Sequence, residues 1–301
     1  METAKSFIKE SWKTTRVRKP KREQVSIIAG HSILLNDKLM SVALRNYLEF
    51  YDEFISWLAD LATVLLFSEP LKREDYAYAH LASALCSLAL SVRHQVCVGQ
   101  DVPAKILARS LAEYSDVMAL LIARPDLRAE FQTEESPEKF WQNHVRGGKA
   151  RRAALATMPL KGRAATWAAQ YESFRKDEGK FLSSSVHPSY VSAAMTLLAA
   201  GDEEEVYWPG YLGRVTDASV RTLAYAMLCL SVIVFLQRLP FGDDKRQFSI
   251  GLTFDPKNRL HRQLEARRHV LIRILGFLGS RRSEQGVFKV KRSARLKESG
   301  L

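Results

Sequence analysis

Cysteine is nearly absent from this chain: Cys86, Cys97 and Cys229 are the three in 301 residues. Three widely separated thiols cannot build a disulfide framework or a four-ligand zinc site, and they suit a reducing, cytoplasmic compartment. Long apolar runs are missing as well. The longest, Thr222 to Leu236, is 15 residues between Arg221 and Arg238, short for a bilayer span and suited to a buried core helix. Before Lys38 no apolar stretch reaches signal-peptide length, so secretion is not expected. No Walker loop or dinucleotide fingerprint occurs, because Gly147-Gly148-Lys149-Ala150 lacks both the glycine spacing and the Ser/Thr that a phosphate loop requires. No cofactor or metal site is therefore expected. Alternation with period two is confined to one short strand candidate, Gln247 to Phe254, and without β-α alternation a parallel sheet is excluded.

What the sequence does have is helical periodicity. Leu39, Val42, Leu44, Tyr47, Leu48, Phe50, Phe54, Ile55, Leu58, Leu61, Leu65 and Leu66 recur at three- and four-residue spacing. Further helices are expected from about 73 to 98, stopping before Gly99, and from 104 to 123, stopping at Pro125. Helical segments then cover roughly 137–157, 161–180, 189–200, 216–238 and 257–279. These predict an all-α bundle of about seven to nine helices with basic N- and C-terminal arms. Residues 1–23 read as a flexible basic arm, 24–256 as the helical bundle, and 257–301 as a basic amphipathic helix followed by a second arm.

The net charge of +12 is unevenly placed. Residues 1–23 carry +5, residues 24–256 carry −3, and residues 257–301 carry +10. A compact cationic segment, Arg146, Lys149, Arg151 and Arg152, lies in a stretch without an acidic residue between Glu138 and Glu172. Arg262, Arg267 and Arg268 sit on the last helix, and Arg281 and Arg282 open the C-terminal arm. Such clusters attract phosphate backbones through counterion release. Few aromatics are interleaved in the arms, Phe7, Trp12 and Phe288, so stacking on bases is not the expected mode.

Two polar groupings have acid/base character. Arg109, Glu113 and Asp116 share one helix face beside an apolar stripe of Leu107, Leu111, Tyr114, Met118 and Leu121. An intrahelical ion pair on a solvated face is the plain account of Arg109 and Glu113; partial burial by Ile106, Val117 and Leu120 would instead mark a site. Ser183-Ser184-Ser185-Val186-His187-Pro188 lies between two helices, where His187 either helps cap the second or acts as an acid/base. His80, Ser83, Ala84, Ser87, Ser91 and His94 form a narrow strip of small and polar residues, read as a close-packing face between helices. Glu49, Glu53 and Asp60 lie on one side of the first long helix, but the Glu-x-x-His pairs of a di-iron bundle are missing.

The Arg-Ser-Leu-x-Glu helix at Arg109 and Glu113, the Ser-rich turn from Ser183 to His187, and the late apolar helix Thr222 to Leu236 together resemble a broad bacterial family of all-helical proteins of unknown function. The resemblance covers roughly residues 40 to 240 and implies a helical fold with a polar cluster, not an activity. A second resemblance is to the helical HEPN ribonucleases, whose arginine precedes a histidine by four to six intervening residues. Arg73 to His80 and Arg262 to His269 fit that spacing, although seven histidines among so many arginines produce about two such matches by chance.

The leading expectation is a cytoplasmic helical protein that binds the backbone of RNA or DNA. An alternative is a metal-independent ribonuclease or other hydrolase, with His187 as acid/base, Arg109 stabilising a developing anion and Glu113 orienting one of them. Another is a non-catalytic subunit that docks an acidic protein partner. An anionic membrane surface ranks behind these, and a homodimer is compatible with the apolar pattern because buried and dimer faces read alike in sequence.

Overall fold

The three- and four-residue spacing of apolar side chains becomes helix over most of the described chain. The computed structural model describes residues 3–15, 17, 41–67, 76–133, 137–157, 163–186, 218–237 and 254–285. Its helices are α1 (Ala4–Lys13), α2 (Val42–Phe67), α3 (Tyr76–Cys97), α4 (Asp101–Ala123), α5 (Arg128–Thr133), α6 (Pro137–Phe140), α7 (Lys149–Ala156), α8 (Arg163–Val186), α9 (Ala218–Leu236) and α10 (Arg259–Gln285). The protein is an all-α multi-helix bundle, and no strand occurs among the described residues. Most of the strand candidate at 247–254 and the helix expected at 189–200 lie outside them.

Helix α4 is the centre of the bundle, packed by α3, α7, α8 and α9. Small residues make this possible: Ala104, Ala108, Ala112 and Ala119 of α4, and Ala79, Ala82 and Ala89 of α3, are buried, so the axes approach closely. Between these helices Val98 N–H bonds to His94 O at 3.0 Å and Gln100 N–H to Gln95 O at 2.8 Å. Gly99 takes φ 76° there, a left-handed helix end that glycine adopts without a Cβ penalty. Pro125 ends α4, with Arg124 extended at φ −131° as the residue before a proline requires.

The expected continuous helix over 137–157 is interrupted. Trp141–Val145 is a wider π turn, and Gly147 and Gly148 follow with φ 68° and 76°, conformations an interior helical residue cannot hold. The strip on α3 also differs from its expected role. His80, Ser83 and Ser87 are exposed, and the alanines of α3 do the close packing instead.

The first two dozen residues, read as a flexible arm, include a formed helix. In α1, Ile8 and Trp12 are buried in the same core as Leu264, Val270, Leu271 and Ile274 of α10. Helix α9 supplies Leu223, Met227, Leu230, Ile233 and Leu236 to that core. Its segment Ser219–Leu236 is long and apolar enough to cross a membrane by length and composition, yet 83% of it is buried within the protein, the position of a core helix.

Candidate nucleic-acid interface

The described helices of the two basic ends, α1 and α10, meet in space. Thr3 caps α1, its Oγ1 accepting from Ser6 N–H at 3.3 Å, and Ala4 N–H bonds to Asn46 Oδ1 of α2 at 3.1 Å. Phe7 lies 4.6 Å from Phe277 of α10 and 6.1 Å from Phe50 of α2, centroid to centroid. Trp12 is 3% exposed; its Nε1–H donates to Glu53 at 3.4 Å and the Arg267 guanidinium stands 5.1 Å from its ring. Arg273 donates to Thr14 Oγ1 at 3.0 Å and stands over the Phe7 ring at 5.9 Å. With its apolar side thus committed, α1 turns Lys5, Lys9 and Lys13 outward, all exposed. Lys5 pairs with Glu49 at 3.3 Å and Lys13 with Glu10 at 2.6 Å. That hydrogen bond from Lys13 holds the Glu10 carboxyl below its usual range.

Two of the arginines expected on this surface are withdrawn from it. Arg267, 2% exposed, bonds through Nη1 to Glu53 at 2.7 Å and through Nε to Asp60 at 2.8 Å. Arg268, 8% exposed, bonds to both carboxylate oxygens of Glu265 and to the Val234 carbonyl. The correction has a clear physical reason. Helix α2 carries Glu49, Asp52, Glu53 and Asp60 toward its neighbours, and each receives a cation from another helix: Lys5, Arg93 or Arg267. Glu53, the buried carboxylate among them, must be paired, and Arg267 is spent doing so. Arg262 remains exposed on α10, as do Arg259 and Arg273. Arg281 and Arg282 fall on the last turns of α10, and their side chains lie outside the described residues.

The second cationic segment is divided in the same way. Arg146, Lys149 and Arg152 are exposed, with Lys149 Nζ donating to the Gln142 and Asn143 carbonyls and Arg152 to Gly147 O at 2.8 Å. Arg151 turns inward to Glu172 at 2.6 and 3.3 Å, and stands 3.7 Å from Asp116. Behind it lies a buried group that sequence reading did not find. Arg175 of α8, 5% exposed, grips Asp116 of α4 through two hydrogen bonds of 3.0 and 2.8 Å, donates to Tyr171 Oη at 2.6 Å, and faces the Tyr171 and Tyr225 rings. Burial raises the hydroxyls of both tyrosines far above their ordinary range and pushes the adjacent Cys229 thiol up to about 11. These groups therefore do not titrate near neutrality. Arg221 closes a similar pair on Glu178 at 2.7 and 2.8 Å. Nothing local in the sequence announces these contacts, since Asp116 and Arg175 are 59 residues apart.

Arg109 and Glu113 form an ion pair of 3.5 Å, their side chains 32% and 44% exposed. His187 lies outside the described residues. Among the HEPN-like spacings, Arg73 is likewise outside them, whereas Arg262 and His269 are both exposed on α10 and His269 stands 3.2 Å from Glu265. No group of three metal-ligating side chains occurs among the described residues. Comparison of the chain with protein-family models, curated proteins and solved structures finds no match.

Proposed function

We propose that this protein binds the phosphate backbone of RNA or DNA, without strong sequence preference, on a cationic surface assembled from both ends of the chain. One observation carries the reading. Helix α1, from the +5 end, is seated on α10, from the +10 end, so charges separated by more than 240 residues of sequence act on one region of space. Lys9 and Lys13 of α1 and Arg259, Arg262 and Arg273 of α10 are exposed even after Arg267 and Arg268 are subtracted, and Arg273 stands directly against α1. Backbone contacts of this kind need cations and little shape, which fits a surface with few exposed aromatic rings. Arg146, Lys149 and Arg152 on and beside α7 supply a second cationic patch. Three buried, unbridged cysteines agree with a reducing, cytoplasmic setting.

The test is binding of a mixed-sequence oligonucleotide, single-stranded and duplex, across a salt series. Affinity is expected to fall steeply as salt rises, with a slope of about −0.9 in log K against log salt for each duplex phosphate neutralised. Binding that is absent at low salt, or insensitive to salt, overturns the reading. Stoichiometric recovery of an acidic protein free of nucleic acid favours a docking subunit instead.

A further inference from the structure

Helix α1 is ten residues long, below the length at which an isolated helix is stable in water, so its helicity depends on being seated. Seated, it stacks Lys5, Lys9 and Lys13 four residues apart, about 6 Å per step along one outward side. Unseated, the same lysines spread along a coil and lose their register with α10. The anchor of the seat, Trp12, is a group that no ligand on that surface can reach. Trp12 is 3% exposed, between Glu53 and the Arg267 guanidinium, while Phe7 is held against Phe277. Arg273 joins the two sides, bonded to Thr14 beyond the end of α1 while standing exposed on α10.

Resting on the polyanion reading above, we propose that seating of α1 and binding of nucleic acid are a single coupled equilibrium. The interface is a composite of α1 and α10 that exists while α1 is docked, and Trp12 is a positioning residue that controls affinity without touching the ligand. Coupling of this kind is reciprocal: whatever Trp12 contributes to affinity by holding α1 down, the bound polyanion returns as added protection of α1. The partner is a phosphate backbone, not a bilayer. A helix lying in a membrane needs its apolar side free, and here Phe7, Ile8 and Trp12 are used against α2 and α10. The docked helix presents Lys5, Ser6, Lys9, Glu10 and Lys13 outward, a polar face suited to phosphates.

The experiment measures fluorescence anisotropy of a labelled mixed-sequence duplex with full-length wild type, Trp12→Ala, Phe7→Ala/Trp12→Ala, Lys9→Gln/Lys13→Gln and Trp12→Ala combined with the two lysine changes. Hydrogen exchange of residues 4–13 is followed in the same samples, and circular dichroism confirms that the bundle is folded. Unseating α1 is expected to weaken binding about tenfold and to make the salt slope shallower by about two, the same slope change as the lysine pair. The combined variant then loses nothing more, because lysines on an unseated helix no longer count. In wild type, which requires no folding of a variant, added duplex slows exchange across α1. Unchanged affinity in both tryptophan variants, additive losses in the combined variant, or no protection of wild-type α1 by duplex overturns the proposal while leaving nucleic-acid binding intact. Absence of duplex binding by wild type overturns the underlying reading. Tighter binding of the unseated variants to phosphatidylserine vesicles, with no loss on duplex, assigns α1 to a membrane.

Discussion

Arg175 and Asp116 join α8 to α4 by two parallel hydrogen bonds of 3.0 and 2.8 Å in a setting where both side chains are buried. Burying the guanidinium alone would carry a large desolvation penalty, which the bidentate pair, the Tyr171 hydroxyl and two flanking rings offset. Removing one partner is therefore far worse than removing both. Arg175→Met leaves Asp116 charged and buried with only Arg151, 3.7 Å away, as its remaining cation, and is expected to cost up to about 3–5 kcal/mol in urea unfolding. Asp116→Leu combined with Arg175→Met is expected to recover most of that loss. A double variant as unstable as the single one would show that the ring contacts, not the ion pair, hold α8 in place.

The two left-handed glycines before α7 separate backbone strain from steric conflict. Gly147 has φ 68° and open space where a Cβ would stand, so Gly147→Ala is expected to cost about 1 kcal/mol, the strain alone. At Gly148 the Cβ would stand 2.7 Å from Arg151 Nη2, a side chain engaged with Glu172. Gly148→Ala is expected to destabilise by more than Gly147→Ala in the wild-type protein, and by less when it is introduced into Arg151→Ala and compared with Arg151→Ala alone. Thermal melts of wild type, the three single variants and the Gly148→Ala/Arg151→Ala double variant decide it.

His261 contributes a pH dependence of known sign. It is buried, and its Nδ1 accepts the Asp255 backbone N–H at 3.0 Å, a role that requires the neutral ring. Burial holds its pKa below the ordinary value, so the unfolded chain takes up a proton before the folded one. The stabilisation is complete above about pH 6.5, the unfolded value, and is lost as pH falls through the folded value. His261→Asn, which retains an acceptor without titrating in this range, is expected to flatten that part of the stability profile between about pH 7.5 and 5.5. Equal slopes for the two proteins would remove His261 as the cause.

Trp57 and Gln237 tie α2 to the end of α9 through an Nε1–H to Oε1 bond of 2.9 Å between two fully buried side chains. Trp57→Phe removes the donor, leaves the Gln237 oxygen without it, and is expected to cost about 1–3 kcal/mol. Trp57→Phe with Gln237→Leu should restore part of it, as measured by chemical denaturation.

Deleting residues 281–301 removes cations from the +10 end while retaining Leu264, Val270, Leu271 and Ile274, which anchor α10 in the core. The truncated protein is expected to melt close to wild type and to bind oligonucleotide more weakly, with a shallower salt slope. Unchanged affinity would assign binding to the seated α1 surface or to Arg146, Lys149 and Arg152.

The sequence by itself determined the fold class and most helix positions, because an apolar period near 3.6, proline and glycine stops, and the scarcity of period-two segments are local properties. Val42–Phe67, Tyr76–Cys97, Asp101–Ala123 and Ala218–Leu236 all stand close to their expected bounds. It also determined that charge is concentrated at the two ends. Which charges face solvent was decided by tertiary structure alone. Arg262 and Arg267 are indistinguishable as letters on one basic helix, yet one is exposed and the other is 2% exposed between Glu53 and Asp60. That difference comes from more than 200 residues away, where Glu53 of α2 must be neutralised once it is buried. The seating of α1 has the same origin. A short stretch rich in lysine reads as an arm until Ile8 and Trp12 find an apolar place on α2 and α10, and a pattern of ten residues cannot carry that information by itself.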